Sequence, residues 1–245
     1  MEQDYLKSIE KMGNLDIIRS LVNTLIDDFE CVSDSDKQEK QYTQKVLVCV
    51  PNLGQINQIT VKSLLTLYET EHTDFFFKAQ SLIYTAREEM ANAAIDEGYD
   101  YLLFIDSDIE FPPDALYKLL DKNCGMVTGI YYQRGAEHLP VICRKMEPFK
   151  CEIETDVDRE DLIPIAGCGM GFCLIKTEYL KEVRDKYGKG TMFCPEPGLG
   201  EDFAFCKKVN ELNHVIFADP TISLNHWGNI AFGRASFNKE KYDNK

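Results

Sequence analysis

The stretch DYLLFIDSDIEFPPD, Asp100 to Asp114, decides the fold. An apolar run from Tyr101 to Ile105 ends abruptly in two aspartates one residue apart, followed by Glu110, two prolines and Asp114. A run this short and this apolar reads as a strand buried on both faces, as in a parallel sheet covered by helices. Acids at the lip of such a strand are partly desolvated and repel each other, which is unfavourable unless a cation or a proton joins them. On an extended chain Asp106 and Asp108 point the same way, so both can face one divalent ion such as Mn²⁺ or Mg²⁺ or its water shell. The plainer alternative is a strand end whose acids serve the next helix, although Asp114 lies closer to that helix start.

The pattern around the stretch supports the sheet. KVLVCVP, TDFFFK, DYLLFID and GMVTGIYY read as strands, and QINQITVKSLLTLYETE, SLIYTAREEMANAAIDEG and DALYKLLDK as the helices between them, the last with Pro112 and Pro113 at its start. Such alternation predicts an α/β fold with a mixed, mostly parallel sheet flanked by helices and ligands beyond the carboxyl ends of the strands. Pro51 and Asn52 stand on that rim after the first strand, as Asp106, Ser107 and Asp108 do after the third. Further on, PVICRKM and HVIFADP read as strands, TEYLKEVRDKYG and EDFAFCKKVNELN as helices. IPIAGCGMGFCLIK is an apolar run interrupted by Gly167, Gly169 and Gly171.

Residues 1–44 differ. Ile18, Leu21, Val22, Leu25, Ile26 and Phe29 fall at helical spacing, giving an amphipathic helix over 15–29 able to pack on the main domain, self-associate or bind a partner. The polar stretch from Ser33 to Gln44 reads as a linker, with the main domain over 45–245.

Composition excludes several classes. The 245 residues, 44% hydrophobic, suffice for one sizeable core, and 41 acids against 27 Lys and Arg give a formal charge of −14. That field repels nucleic acid and anionic membrane surfaces, so an anionic substrate has to be met locally by a metal ion, a few arginines or backbone N–H groups. The segment MEQDYLKSIEKMGNLD lacks the features of a signal peptide, and no apolar run approaches the roughly 18 residues of a spanning helix. A soluble, cytoplasmic protein without a transmembrane segment is expected. Nine cysteines without a C-x-x-C pair read as reduced, mostly buried small hydrophobes.

D-x-D alone is a weak pattern, for it occurs at Asp34/Asp36 and Asp156/Asp158 as well, both in polar surroundings. The combination of VLVCVPN, YTAREEMANAA, FIDSD, GCGMGF, GEDFAFCKK and LNHWG, in that order from Lys45 to Gly233, resembles the GT-A (Rossmann-like) glycosyltransferases of the family 2-like branch. The resemblance implies transfer of a sugar from a nucleotide-diphosphate donor, a UDP-sugar by preference, to a hydroxyl of a carbohydrate or glycoconjugate acceptor, with inversion. Asp108 would be the direct metal ligand, Asp106 would touch the ribose or a metal-bound water, and Ser107 would lie near the nucleotide. His226 would complete the metal site, against the alternative of a structural histidine. Pro51 and Asn52 would hold base and ribose, and Arg87 would reach base or diphosphate, unless it is an exposed helix arginine. Asp202 would be the base, with Glu201 next in line, although acids at a helix N-terminus also follow from its dipole.

The glycines would lie beside donor sugar and acceptor, or mark a strand bend. Trp227 would stack on an acceptor or fill the core. The arginine-rich acceptor motif of processive synthases is absent. A binding module or inactive scaffold is the rival from another class. A phosphatase of the haloacid dehalogenase class fits less well, because Glu110 stands where a threonine is usual, and the basic glycine loop of nucleotidyltransferases is missing after the first strand.

Overall fold

The structure, a computed structural model, describes residues 42–79, 82–134, 137–147, 150–228 and 231–233. The helix expected over 15–29, with its self-association, lies outside the described residues. Near the boundary, Tyr42 belongs to the fold rather than to a linker: it is buried, stacks on Tyr117 at 4.0 Å and donates to Asp121.

In chain order the elements are β1 (Lys45–Asn52), α1 (Gln58–Thr66), β2 (His72–Ala79), α2 (Ile83–Asp96), β3 (Tyr101–Ile105), β4 (Ile109–Glu110), α3 (Ala115–Asp121) and β5 (Met126–Ile130). Then follow β6 (Ile142–Glu147), β7 (Lys150–Ile153), β8 (Ile163–Ile165), β9 (Gly167–Cys168), β10 (Phe172–Lys176), α4 (Thr177–Tyr187), α5 (Glu201–Asn210), β11 (Ile216–Ser223), β12 (Asn225–Trp227) and β13 (Ala231–Phe232). Seven strands form the central sheet in the order β2-β1-β3-β10-β5-β11-β8. β2, β1 and β3 run parallel, as do β5 and β11, while β10 and β8 are antiparallel to their neighbours. The architecture is therefore the expected mixed α/β, Rossmann-like sheet flanked by helices. No helix among the described residues is long and apolar enough to cross a membrane.

β3 shows why its sequence is apolar throughout. Leu102 and Phe104 face one core with Met90 of α2, Leu180 of α4 and Phe205 of α5, whereas Tyr101, Leu103 and Ile105 face the other with Leu64 of α1 and Leu116 of α3. Alternation between two buried faces leaves no position for a polar side chain. Phe104 meets Phe193 edge-on at 5.5 Å, and Phe193 stacks on Phe205 at 4.5 Å, which ties the middle of β3 to α5 and the segment before it. Five of the eight described cysteines are buried and all eight are free thiols. The prolines precede α3 rather than open it: Asp114 is its N-cap, and Ala115 N–H donates to Pro112 O.

The glycine-interrupted run is where the sequence pattern and the fold diverge. It is three short strands, β8, β9 and β10, in two different sheets, and β10 is the strand inserted between β3 and β5. A Cβ on Gly169 would come within 1.9 Å of the Tyr131 hydroxyl, and one on Gly171 within 2.7 Å of the Tyr131 ring. Gly167 leaves room for Met146 and Phe203 in the same way. These glycines thus admit large protein side chains, at a place where the chain bends between β9 and β10 as the strand-bend alternative expects.

Tyr131 is 6% exposed and has no space to retreat. Gly169→Ala is accordingly expected to lower stability by about 2 kcal/mol, read from urea unfolding midpoints at unchanged slope.

Candidate active site

The chain leaves β3 in a turn, not in extended form: Ile109 N–H donates to Asp106 O at 3.3 Å. Period-two alternation fails in a turn, so the two aspartates diverge, contrary to the expectation that both face one ion. Asp106 faces α2, and Asp108 faces β12. The turn is tied on both sides, since Asp106 N–H donates to Gly171 O at 2.9 Å and Ser107 O accepts from Asn57 N–H at 2.8 Å.

On the Asp106 side lies Arg87 of α2, 3% exposed. One terminal nitrogen donates to Asp106 Oδ1 at 2.7 Å and the other to Glu201 Oε1 at 2.5 Å. Burial alone would lower the pKa of this guanidinium, but Asp106, Glu201 and Asp202 hold it above its ordinary value. Arg87 is thus neither an exposed helix arginine nor a cation offered to a diphosphate. It clamps β3 to the first turn of α5. Glu201, spent on that clamp, is poorly placed as a base.

Asp202, its neighbour, is half-buried and accepts from Phe203 N–H at 2.8 Å. Burial, with the Glu201 charge adding and Arg87 opposing, raises its pKa from 3.8 to about 6. The Tyr131 hydroxyl accepts from Gly171 N–H at 3.2 Å, and its pKa is pushed well up by burial and by the charges of Asp106 and Asp202.

On the Asp108 side, β4 pairs with β12, Asn225 opposite Glu110 and His226 opposite Ile109. Trp227 N–H donates to Asp108 O at 2.7 Å. This pairing brings His226 beside Asp108. His226 Nδ1 lies 2.9 Å from Tyr132 O, an acceptor only, so Nδ1 donates there and Nε2 is the ring nitrogen left facing Asp108. That Nε2 is 3.5 Å from Asp108 Oδ1. Arg134 NH1 sits 3.0 Å from the other oxygen, Oδ2, and also donates to Trp227 O at 3.2 Å.

Glu110, the third acid of the opening stretch, accepts from Trp227 Nε1 at 2.8 Å and Asn225 Nδ2 at 3.0 Å. It fixes the strand that carries His226. Trp227 is half-buried and pinned through its ring nitrogen, so it is not core filling.

At the first strand, Pro51 pairs within the sheet opposite Lys78, and Asn52 is 7% exposed. The Asn52 amide donates to Val50 O and its oxygen accepts from Gly54 N–H, which shapes a turn with Gly54 at φ 93°. The side chain serves its own loop, leaving backbone and the 75% exposed Leu53 to face outward. The rim thus brings together Asp106, Asp108, His226, Glu201, Asp202 and Arg87, while Pro51 and Asn52 contribute loop shape. Sequence reading missed Arg134, Tyr131, Tyr132 and the anchoring role of Glu110; only Glu110 carried a signal, through its place in the acid-rich stretch.

The donor set fits a hard divalent cation. A carboxylate oxygen and an imidazole nitrogen face each other, and two adjacent ligands of an octahedral ion lie about 3 Å apart, close to the separation observed. Among the described residues no three acids, histidines or cysteines converge into a complete ligand set, so Asp108 and His226 would leave most coordination positions to water and substrate oxygens. Asp106, held by Arg87, does not join them.

No family model matches the chain, and no curated protein matches it. Among solved structures it is similar to A197 from STIV, with a TM-score of 0.56 and 19% identity over 75% of this chain and 86% of that one. At that identity the likeness is one of fold.

Arg87→Met would strand two partly buried carboxylates, and a loss of about 3–5 kcal/mol in unfolding free energy is expected. Asp202 gives a signed pH dependence. A carboxyl whose pKa is higher folded than unfolded favours the folded state while protonated, a contribution full below about 4 and gone above about 6. At pH 7.5 Asp202→Asn should therefore raise stability, by on the order of 2 kcal/mol, and urea unfolding at stepwise lower pH should show the gain shrinking between pH 6 and pH 4.

Proposed function

We propose that this chain is a metal-dependent glycosyltransferase of the GT-A type, moving a sugar from a nucleotide-diphosphate donor, a UDP-sugar by preference, to a hydroxyl of a carbohydrate or glycoconjugate acceptor with inversion. The observation that carries the reading is the pair Asp108 and His226, an imidazole nitrogen 3.5 Å from a carboxylate oxygen just past the carboxyl end of a parallel strand. That is the rim where open α/β sheets bind ligands. Charge supports it too: among the described residues, the arginines that Asp106, Asp108, Glu201 and Asp202 meet are Arg87 and Arg134, leaving an acidic excess that one divalent cation would balance.

Asp108 and His226 would hold Mn²⁺ or Mg²⁺, which when bound supplies charge neutralisation at the departing diphosphate without any proton transfer. Asp202 is the base. At about 6 its raised pKa still leaves it mostly ionised at neutral pH, and makes it a stronger base toward an acceptor hydroxyl than a carboxylate of ordinary pKa. Glu201 and Asp106, joined through Arg87, are positioning residues: they fix the start of α5 and hence the direction of Asp202. Tyr131, buried under the same groups, excludes water from beneath them.

The test is transfer or slow hydrolysis of a panel of nucleotide sugars with and without Mn²⁺. Chelation and Asp108→Ala should each abolish turnover and metal-dependent nucleotide binding by calorimetry. Asp202→Asn should bind nucleotide as before while kcat falls about 10²–10⁴-fold. Nucleotide binding indifferent to Mn²⁺ and to Asp108 would refute the assignment, and a chain that binds without turning over any donor is the scaffold instead.

A further inference from the structure

Resting on the reading of Asp108 and His226 as a cation's ligands, we propose that Arg134 is an exchangeable counter-ion of Asp108, displaced when the divalent cation binds and thereby freed to contact the donor's diphosphate. The two aspartates of the turn each hold an arginine, but on different terms. Arg87 has a side chain 4% exposed with both terminal nitrogens on carboxylates. Arg134 has a side chain 48% exposed, and among the described residues its contacts are made by one terminal nitrogen, Nη1, to Asp108 Oδ2 and Trp227 O. An ion pair so open to water is weak and exchanges readily, whereas a buried guanidinium with two partners does not.

A dication bound at Asp108 Oδ1 would repel the guanidinium at Oδ2 a few ångströms away, by more than the open, water-exposed pair contributes. The cation carries the larger charge and has His226 as second ligand, so it takes the carboxylate. Arg134 stays nearby. Its backbone is held beside the end of β5, where Gln133 N–H donates to Leu139 O at 2.8 Å and Tyr132 bridges to Pro140. A planar fork of N–H donors beside a bound cation matches the paired oxygens of a diphosphate, which arrives carrying the opposite charge. Metal would then precede nucleotide, and in its absence Arg134 would blunt the repulsion between Asp106 and Asp108.

The experiment is calorimetric titration of the full chain with MnCl₂ alone, and with UDP at saturating Mn²⁺, for wild type, Arg134→Gln, Arg134→Lys and Asp108→Asn. With its competitor gone, Arg134→Gln should bind Mn²⁺ alone about 2- to 5-fold more tightly, yet bind UDP about 10-fold or more weakly. Arg134→Lys, which keeps the charge but not the fork, should leave Mn²⁺ affinity near wild type and still weaken UDP. An Arg134→Gln chain that binds Mn²⁺ no more tightly, or UDP as well as wild type, overturns the inference, provided Asp108→Asn has lost Mn²⁺. If Asp108→Asn retains Mn²⁺ binding, or wild type takes up none, the metal reading itself falls and the role of Arg134 with it.

Discussion

A single buried guanidinium organises this molecule. Arg87 is withdrawn from water almost entirely, and such a charge persists only where opposite charges and hydrogen bonds replace its hydration. Those partners come from two other elements: Asp106 from the end of β3 and Glu201 from the first turn of α5. Three separated pieces of chain are thereby fixed at one point on the sheet's rim. Among the described residues the buried Arg87 Nε finds no partner, so the clamp holds by its two charged contacts.

The clamp also sorts the acids. Of the four carboxylates at the rim, two are consumed by Arg87 and stop being candidates for chemistry. Asp202 and Asp108 remain, in different environments: Asp202 is desolvated, and its proton affinity rises accordingly. Asp108 stays partly wet, beside a histidine whose Nδ1 is held by a backbone carbonyl and a half-exposed arginine in direct contact with its other oxygen. Pushing two acids toward different roles by environment rather than by residue type is a common device of carboxylate chemistry.

Much of the fold was legible because β1, β3 and β5 are buried on both faces and alternate with helices, which writes a plain signal of short apolar runs between amphipathic ones. The same signal failed where strands are two or three residues long, as in β4, β9 and β12, since a periodicity needs several repeats to exist. The glycines of the run before β10 make room for side chains far away in sequence, Met146 and Phe203 at Gly167 and Tyr131 at Gly169 and Gly171, which no local pattern reveals. For the site, the cluster of Asp106, Asp108, Glu201, Asp202, Arg87 and His226 was legible as a set of residue types in order. Their division of labour was not, because it depends on a turn at Asp106 instead of extended chain and on which acids Arg87 reaches. Arg134 sits in a loop with no spacing rule to mark it.

The antiparallel strand β10 lies between β3 and β5, two strands that precede it in the sequence. Until Phe172–Lys176 has left the ribosome, β3 keeps an open edge of fully buried type, and the two flanks of the sheet have nothing to join them. The carbonyl of Gly171 that anchors Asp106 arrives with the same strand, and Glu201 later still, 114 positions beyond Arg87. Assembly of this rim is therefore a high-contact-order event, completed late, with the greasy centre of the sheet dependent in the meantime on chaperones or on speed of synthesis.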